Sequence, residues 1–439
     1  MRSKLVGLAL FGALLHAAPA ALAEVRAFVG AQLIPIAGDP IPEGVLLIED
    51  GRILGVGARG RLDIPRGAEV VELEPSMVIM PGIVDSHSHV GEVSGADRSG
   101  PIQPEARALD SVNVRSSGIT RALSGGITSV NVMPGSGHLV SGQTLYLKLR
   151  EGNRVEDLAY RREDGRVAGG LKMANGTNSR RDPPFPGSRA KSAALVRQAY
   201  VDAGAYHTKL AGDPDERPDR DLGKEILAEV LEGSRTVHHH THRHDDVLTV
   251  LRLKEEFGYR VVLHHVSDAW KVADEIAAAD VPVSLILLDS PGGKLEALDV
   301  RLESAAVLEE AGVEIAFHTD DWVTDSRYFL RMAAMGVRGG MSREGALNAL
   351  TLVPARMLDI EDRVGSLEAG KDADFVLLSG DPFATRTRVL ETWVEGVRRF
   401  DLDDPEDRLV AEGGPGALTP DDGMGHIHHM EDHRGGSSR

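Results

Sequence analysis

Between Ile83 and Asp320, short apolar runs alternate with longer stretches in which apolar residues recur every three or four positions. The runs GIVDSH, ITSVNVM, TLYLKLR, GGLKMAN, RTVHHH, YRVVLHH, VPVSLILL and VEIAFHTD read as eight strands. Between some of them, DDVLTVLRLKEEFG and DAWKVADEIAAADV carry the i, i+3, i+4 spacing of amphipathic helices. Eight strands alternating with helices over roughly 250 residues predict an α/β fold, a (β/α)8 TIM barrel spanning residues 81–363. An open doubly wound sheet is the alternative.

The two flanks share a different texture. Residues 24–80, with GVLLIEDGRILGVGARG, and residues 364–400, with VGSLEAGKDADFVLLSGDPF and RVLETWVEGVRR, are rich in Val, Ile and Leu punctuated by Gly. They predict one small sheet domain completed by both ends of the chain. From Asp401 the chain turns acidic and loses apolar periodicity, so residues 401–439 are expected to be a disordered tail. Its histidines (His426, His428, His429, His433) could scavenge metal; a solvated tail without function is the simpler reading.

Composition changes this picture in three places. Residues 1–23 carry Arg2 and Lys4, an apolar run shorter than the roughly 20 residues of a membrane span, and the A-x-A pattern at Ala21–Ala23. They are expected to be a signal peptide cut before Glu24, with an uncleaved anchor as the alternative, so the protein is expected to be periplasmic or secreted. The chain has no cysteine, so any metal must be held by His and carboxylate. The net charge of −18, or −20 once Arg2 and Lys4 leave, repels phosphate backbones and anionic lipid, which argues against nucleic acid and against stable membrane association. A homo-oligomer is compatible with everything in the sequence.

Most of the remaining histidines stand at the C-terminal ends of the expected strands, the face where barrel enzymes keep their active sites. In PGIVDSHSHV, His87 and His89 are two apart, point the same way on a strand, and can converge on one ion. In TVHHHTHRHDD the period of two puts His238, His240 and His242 on one face and His239 on the other.

The lead-in Pro81-Gly82-Ile83-Val84-Asp85 before His87 resembles the first barrel strand of the amidohydrolase superfamily, and AFHTD resembles its eighth strand. The similarity covers roughly residues 28 to 400 and is to the branch of imidazolonepropionases and prolidase-like metal-dependent hydrolases. It implies that the flanking segments form a composite β-sandwich. It also implies a metal set of His87, His89, His240, His265 and Asp320, with His264 and Asp321 as the alternatives to the last two. Binuclear members bridge their metals with a carbamylated Lys or with a Glu on the fourth strand. Several read Gly-Glu-Asn where this chain reads Gly176, Thr177 and Asn178. Either Lys172 is carbamylated and bridges, the favoured reading, or the site holds one metal; Lys148 is the other lysine candidate. His238 is expected to be a buried group behind the ligands, while His242 and His244 either open the next helix or touch substrate. His318 shares a face with Asp320; His138 and His207 match no ligand position. Arg189, on a helix that Ser188 would cap, could meet a substrate carboxylate but reads more simply as a surface ion pair.

Neutral imidazoles with a carboxylate suit a borderline divalent cation, zinc by default, with Mn²⁺ or Fe²⁺ fitting the same ligands. The resemblance implies hydrolysis of a C–N bond in a small molecule: an amide, acyl amino acid, dipeptide, lactam or imidazolone. Asp320 would carry the proton and His265 or a neighbouring histidine would steady the oxyanion. A lactonase on the same barrel, an inert barrel that retains metal, and a non-catalytic exported metal-binding protein are the rival readings.

Overall fold

The computed structural model describes residues 25–414 and 417, apart from 94–96, 288–293 and 322. The expected leader and the tail histidines lie outside the described residues.

All eight expected strands form. Ile83–Ser88 pairs in parallel with Ile127–Val132. Leu171–Ala174, Val237–Thr241, Val261–His265, Val283–Leu285 and Ile315–Phe317 pair in parallel, each with the next. Helices lie between most of these strands, which makes the fold mixed α/β. His244–Phe257 shows why: Asp245 and Asp246 stand in its first turn, Val247, Val250 and Leu253 face inward, and Gly258 ends it in the left-handed conformation (φ +75°). Ser188 caps Arg189–Leu210, its hydroxyl accepting from the Lys191 amide at 3.2 Å.

The third strand departs from expectation. Leu145–Lys148 runs antiparallel to Ile127–Val132, and an additional strand, Val140–Gln143, runs antiparallel to Leu171–Ala174. Residues 133–139 are the whole connection from the preceding strand. They are too few for a parallel crossover, which takes about a dozen residues or more. Together, residues 140–148 lie between the two groups of parallel strands.

The flanks form two further sheets. Arg26–Val29, Gly44–Glu49, Arg52–Ala58 and Glu69–Glu72 make a four-stranded one. The five-stranded one joins Gln32–Leu33 and Val78–Pro81 to Phe375–Leu378, Val389–Val394 and Val397–Asp401, so both chain ends share it. Phe28, Leu46 and Ile48 of the first sheet cluster with Ile79, Phe375 and Trp393 of the second. The Phe28 ring meets Phe375 and Trp393 edge-on at 5.0 and 5.1 Å.

Lys148, fully buried, points into an acidic group of Asp372, Asp374 (3.1 Å) and Glu395 (3.7 Å), which ties residues 140–148 to the C-terminal strands. The disordered tail expected from Asp401 begins too early. Asp401 ends a strand, and Pro405–Glu412 is a helix capped by Asp404, with the Val410 carbonyl held by Arg327 at 3.1 Å. None of its residues is buried, so it carries no apolar stripe to mark it in the sequence. Among the described residues no helix is long and apolar enough to cross a membrane.

Phe375 fills the layer between the two outer sheets, so Phe375→Ala is expected to destabilise the protein by about 3–5 kcal/mol. Urea unfolding would check this; a loss below about 1 kcal/mol would show that the layer does not hold the chain ends together.

Candidate metal and active site

The site forms where the strands end. Asp85 is buried on the first parallel strand and accepts from the amides of His87 (3.2 Å) and Thr319 (3.1 Å) and from the Thr319 hydroxyl (2.5 Å). Burial pushes its carboxyl up to about 7, against the pull of those bonds. The Asp320 amide donates to the His87 carbonyl at 2.9 Å. Asp320 (φ +49°), His265 (φ +70°) and Val266 (φ +36°) all adopt left-handed backbone conformations. Such strain in non-glycine residues persists only where surrounding bonds hold it, and it collects at functional sites.

These turns bring the expected residues together. His89 Nε2 is 2.9 Å and His87 Nε2 3.4 Å from Asp320 Oδ1, and His265 Nδ1 is 4.0 Å from Asp320 Oδ2. His89 Nδ1 faces the Met133 carbonyl at 2.8 Å, which assigns the proton there and leaves Nε2 as the ligating nitrogen. Lys172 Nζ reaches His87 Nε2 at 2.9 Å and Met133 Sδ at 3.4 Å. The His240 ring lies 4.3 Å from that of His265 and 4.7 Å from that of His242. His318 stacks on His87, faces His265 Nδ1 at 3.2 Å, and has Nδ1 2.7 Å from Ser284 Oγ.

Desolvation governs the charges. Burial lowers His87, His240, His264 and His265 well below 6.5, and takes His238, His239, His242 and His318 to about 3. Burial likewise lowers Lys172 to about 7. It would raise Asp320, but the His89 bond and the charges of His89 and Lys172 hold that carboxyl below its usual range. Both ring nitrogens of His240, Nε2 of His265 and Nδ1 of His87 are buried without a hydrogen-bond partner. Orphaned neutral imidazole nitrogens beside an ionised carboxylate are a donor set that fits a divalent cation.

Other residues fall away from this centre or behind it. His238 lies between the Tyr146 hydroxyl (2.9 Å) and His264 (3.0 Å). Asp321 pairs with Arg121 at 3.1 Å. Lys148 belongs to the acidic group described above. Arg189 pairs with Asp246 at 2.8 Å, His207 with Glu232 at 3.0 Å, and His244, opening its helix, with Asp268 at 3.3 Å. His138 packs on Phe185.

His242 does enter the site. It lines a pocket of about 70 Å³ with His265, Ile286, Leu287, Lys294, Asp320 and Val323. A larger cavity of about 470 Å³ opens on the helix side of Val237–Thr241, where it is lined by His239, Arg189 and Asp246. His265 and Asp320 of the convergent group line the smaller one, which makes it the candidate site. Sequence reasoning missed Lys294 and Glu296, a buried carboxylate close to His240 and His242. Both stand in LDSPGGKLEALD, a stretch whose sequence pattern carries no strand or ligand spacing.

A family model described as an amidohydrolase family matches residues 271–400. The amidohydrolase tasK of Hapsidospora irregularis is 26% identical over 392 residues, 82% of this chain; the chain spans 40% of that relative's length. The imidazolonepropionase of Micrococcus luteus is 26% identical over 383 residues, covering 78% of this chain and 88% of its own. The crystal structure of an amidohydrolase from Thermotoga maritima MSB8 is 33% identical, with a TM-score of 0.78, covering 86% of this chain and 100% of that one.

A histidine kept neutral in the fold, yet free to protonate near 6.5 once unfolded, makes the unfolded chain bind more protons below that pH. Its stabilising contribution is therefore whole above about 6.5 and is lost as pH falls toward about 3. The slope is about 1.4 kcal/mol per pH unit for each such histidine. Metal-free protein should show a thermal midpoint that drops steeply between pH 7 and pH 5. A flat midpoint over that range would contradict neutral burial.

Proposed function

The chain belongs to the amidohydrolase superfamily, and on that footing we propose that it is an exported metal-dependent hydrolase of a C–N bond in a small amide, cyclic amide or dipeptide. The observation that carries the reading is the convergence of His87, His89, His240, His265 and Lys172 around Asp320 at the ends of parallel strands. In this reading the parallel strands and residues 140–148 close as one barrel. The bond from the Asp320 amide to the His87 carbonyl, which joins the outermost parallel strands, supports closure. The two outer sheets form a composite β-sandwich, supported by their shared apolar cluster. Export rests on the character of residues 1–23.

His87, His89, His240, His265 and Asp320 would hold the metal, with Lys172 bridging as its carbamate. The uncharged amine favoured by burial is the form that can take up CO2. Zinc suits this donor set, and Mn²⁺ or Fe²⁺ fits it too; the cation supplies water activation and carbonyl polarisation. Asp320, kept ionised, accepts the proton of the attacking water and passes it to the leaving nitrogen. His265 faces the same pocket, where it or a neighbouring histidine steadies the oxygen that becomes negative. Ile286, Leu287 and Val323 keep water from the reacting atoms, and Lys294 stands among them.

Acyl amino acids, dipeptides and cyclic amides should be screened with zinc-loaded and manganese-loaded enzyme. Asp320→Asn is expected to lower kcat by about 10²–10⁴-fold. The double substitution of His87 and His89 by Ala should abolish both turnover and tightly held metal. Metal retained by that double variant would instead identify a non-catalytic binding protein built on HHHTHRH and the tail.

A further inference from the structure

We propose that Glu296 and His242, with His240, form a second divalent-cation site beside the one centred on His87, His89 and Asp320, an assignment that rests on the metal-dependent reading above. One nitrogen from each histidine and one Glu296 oxygen lie within 4.8 Å of one another, and all three side chains are buried. Both nitrogens of His240, Nε2 of His242 and Oε1 of Glu296 lack any hydrogen-bond partner. Buried polar atoms left unpaired are costly unless a ligand satisfies them.

Glu296 and His242 are each held from behind by their other polar atom. Oε2 of Glu296 accepts from the Thr177 amide at 2.9 Å and from Arg189 at 3.4 Å, and Arg189 is itself fixed by Asp246. Nδ1 of His242 is 2.9 Å from Ser267 Oγ, which leaves Nε2 to point inward. Gly176 takes a left-handed turn (φ +71°) against this carboxylate, and a Cβ there would come within 2.8 Å of Glu296 Oε2. The loop is shaped to admit Glu296 where Thr177 brings no carboxylate of its own. Two neutral imidazoles and one carboxylate with an open position are the donor set of a zinc-class cation. A carboxylate from the short helical turn Leu295–Ala297 makes the second cation independent of carbamylation at Lys172.

The test is the zinc content and affinity of the full-length protein, measured by plasma mass spectrometry and by competition with a chromogenic chelator. Wild type is compared with Glu296→Gln, His242→Gln and Lys172→Met, so the tail contributes equally to all. The proposal expects two tight ions in wild type, and in Lys172→Met, which removes a ligand of the first centre, it expects the ion held by Glu296, His242 and His240 to remain. The two ligand variants should keep one ion and lose the other, weakened beyond the roughly 10–100-fold typical of residues that only support a ligand. Circular dichroism and the retained first ion certify folding. Cobalt titration of wild type, independent of any variant, should give the second equivalent its own visible band. Two ions bound to Glu296→Gln with wild-type affinity would overturn the proposal, as would a single ion in wild type, and both would leave the hydrolase reading standing. No tight ion in wild type would overturn that reading and this assignment together.

Discussion

The amide of Asp320 donates to the carbonyl of His87 at 2.9 Å, and from that bond the geometry of the whole site follows. It joins the end of the last parallel strand to the end of the first. Asp85 braces the same junction from below through both polar groups of Thr319 and through the His87 amide. With the backbone turned into the left-handed region at Asp320, the carboxylate swings toward His89 and His87 rather than back into the strand. The neighbouring Asp321 is sent the other way, to Arg121.

Desolvation then decides what each group can do. Two lysines are buried on neighbouring parts of the sheet, and their surroundings drive them apart. Lys148 faces Asp372, Asp374 and Glu395, whose charges outweigh the burial cost and hold it firmly protonated. Lys172 faces imidazoles, a thioether and the charge of Asp320, which does not offset burial, and it falls to about 7. One is a structural cation that fastens the C-terminal strands to residues 140–148. The other is a near-neutral amine in the middle of a metal donor set.

The histidine-rich strand shows the same sorting at single-residue resolution. His238 is satisfied by Tyr146 and His264 and serves as a support. His240, one step of two further along, has both nitrogens unpartnered, and His242 lines the pocket. His239 lies on the opposite face against the helices. Strand periodicity sends His239 to the helix side and His238 and His240 to the other face, and position along the strand then separates the support from the candidate ligand.

The division between faces is legible in the amino-acid sequence by itself, because period two is a property of the chain. The same holds for the H-x-H pair at His87 and His89, the existence of all eight strands, and the sharing of outer strands by both ends. Direction and long-range contact are not legible there. The strand Leu145–Lys148 has apolar residues like its neighbours, and only the short connection before it forces an antiparallel course. The helix Pro405–Glu412 packs without an apolar stripe, so composition reads it as tail. Glu296 stands more than fifty residues from His240 and His242 in sequence, in a stretch without periodicity, and it meets them only after the strands assemble. Local pattern encodes which face a side chain takes. Which distant carboxylate shares that face, and whether its charge survives burial there, depends on the surroundings that folding creates.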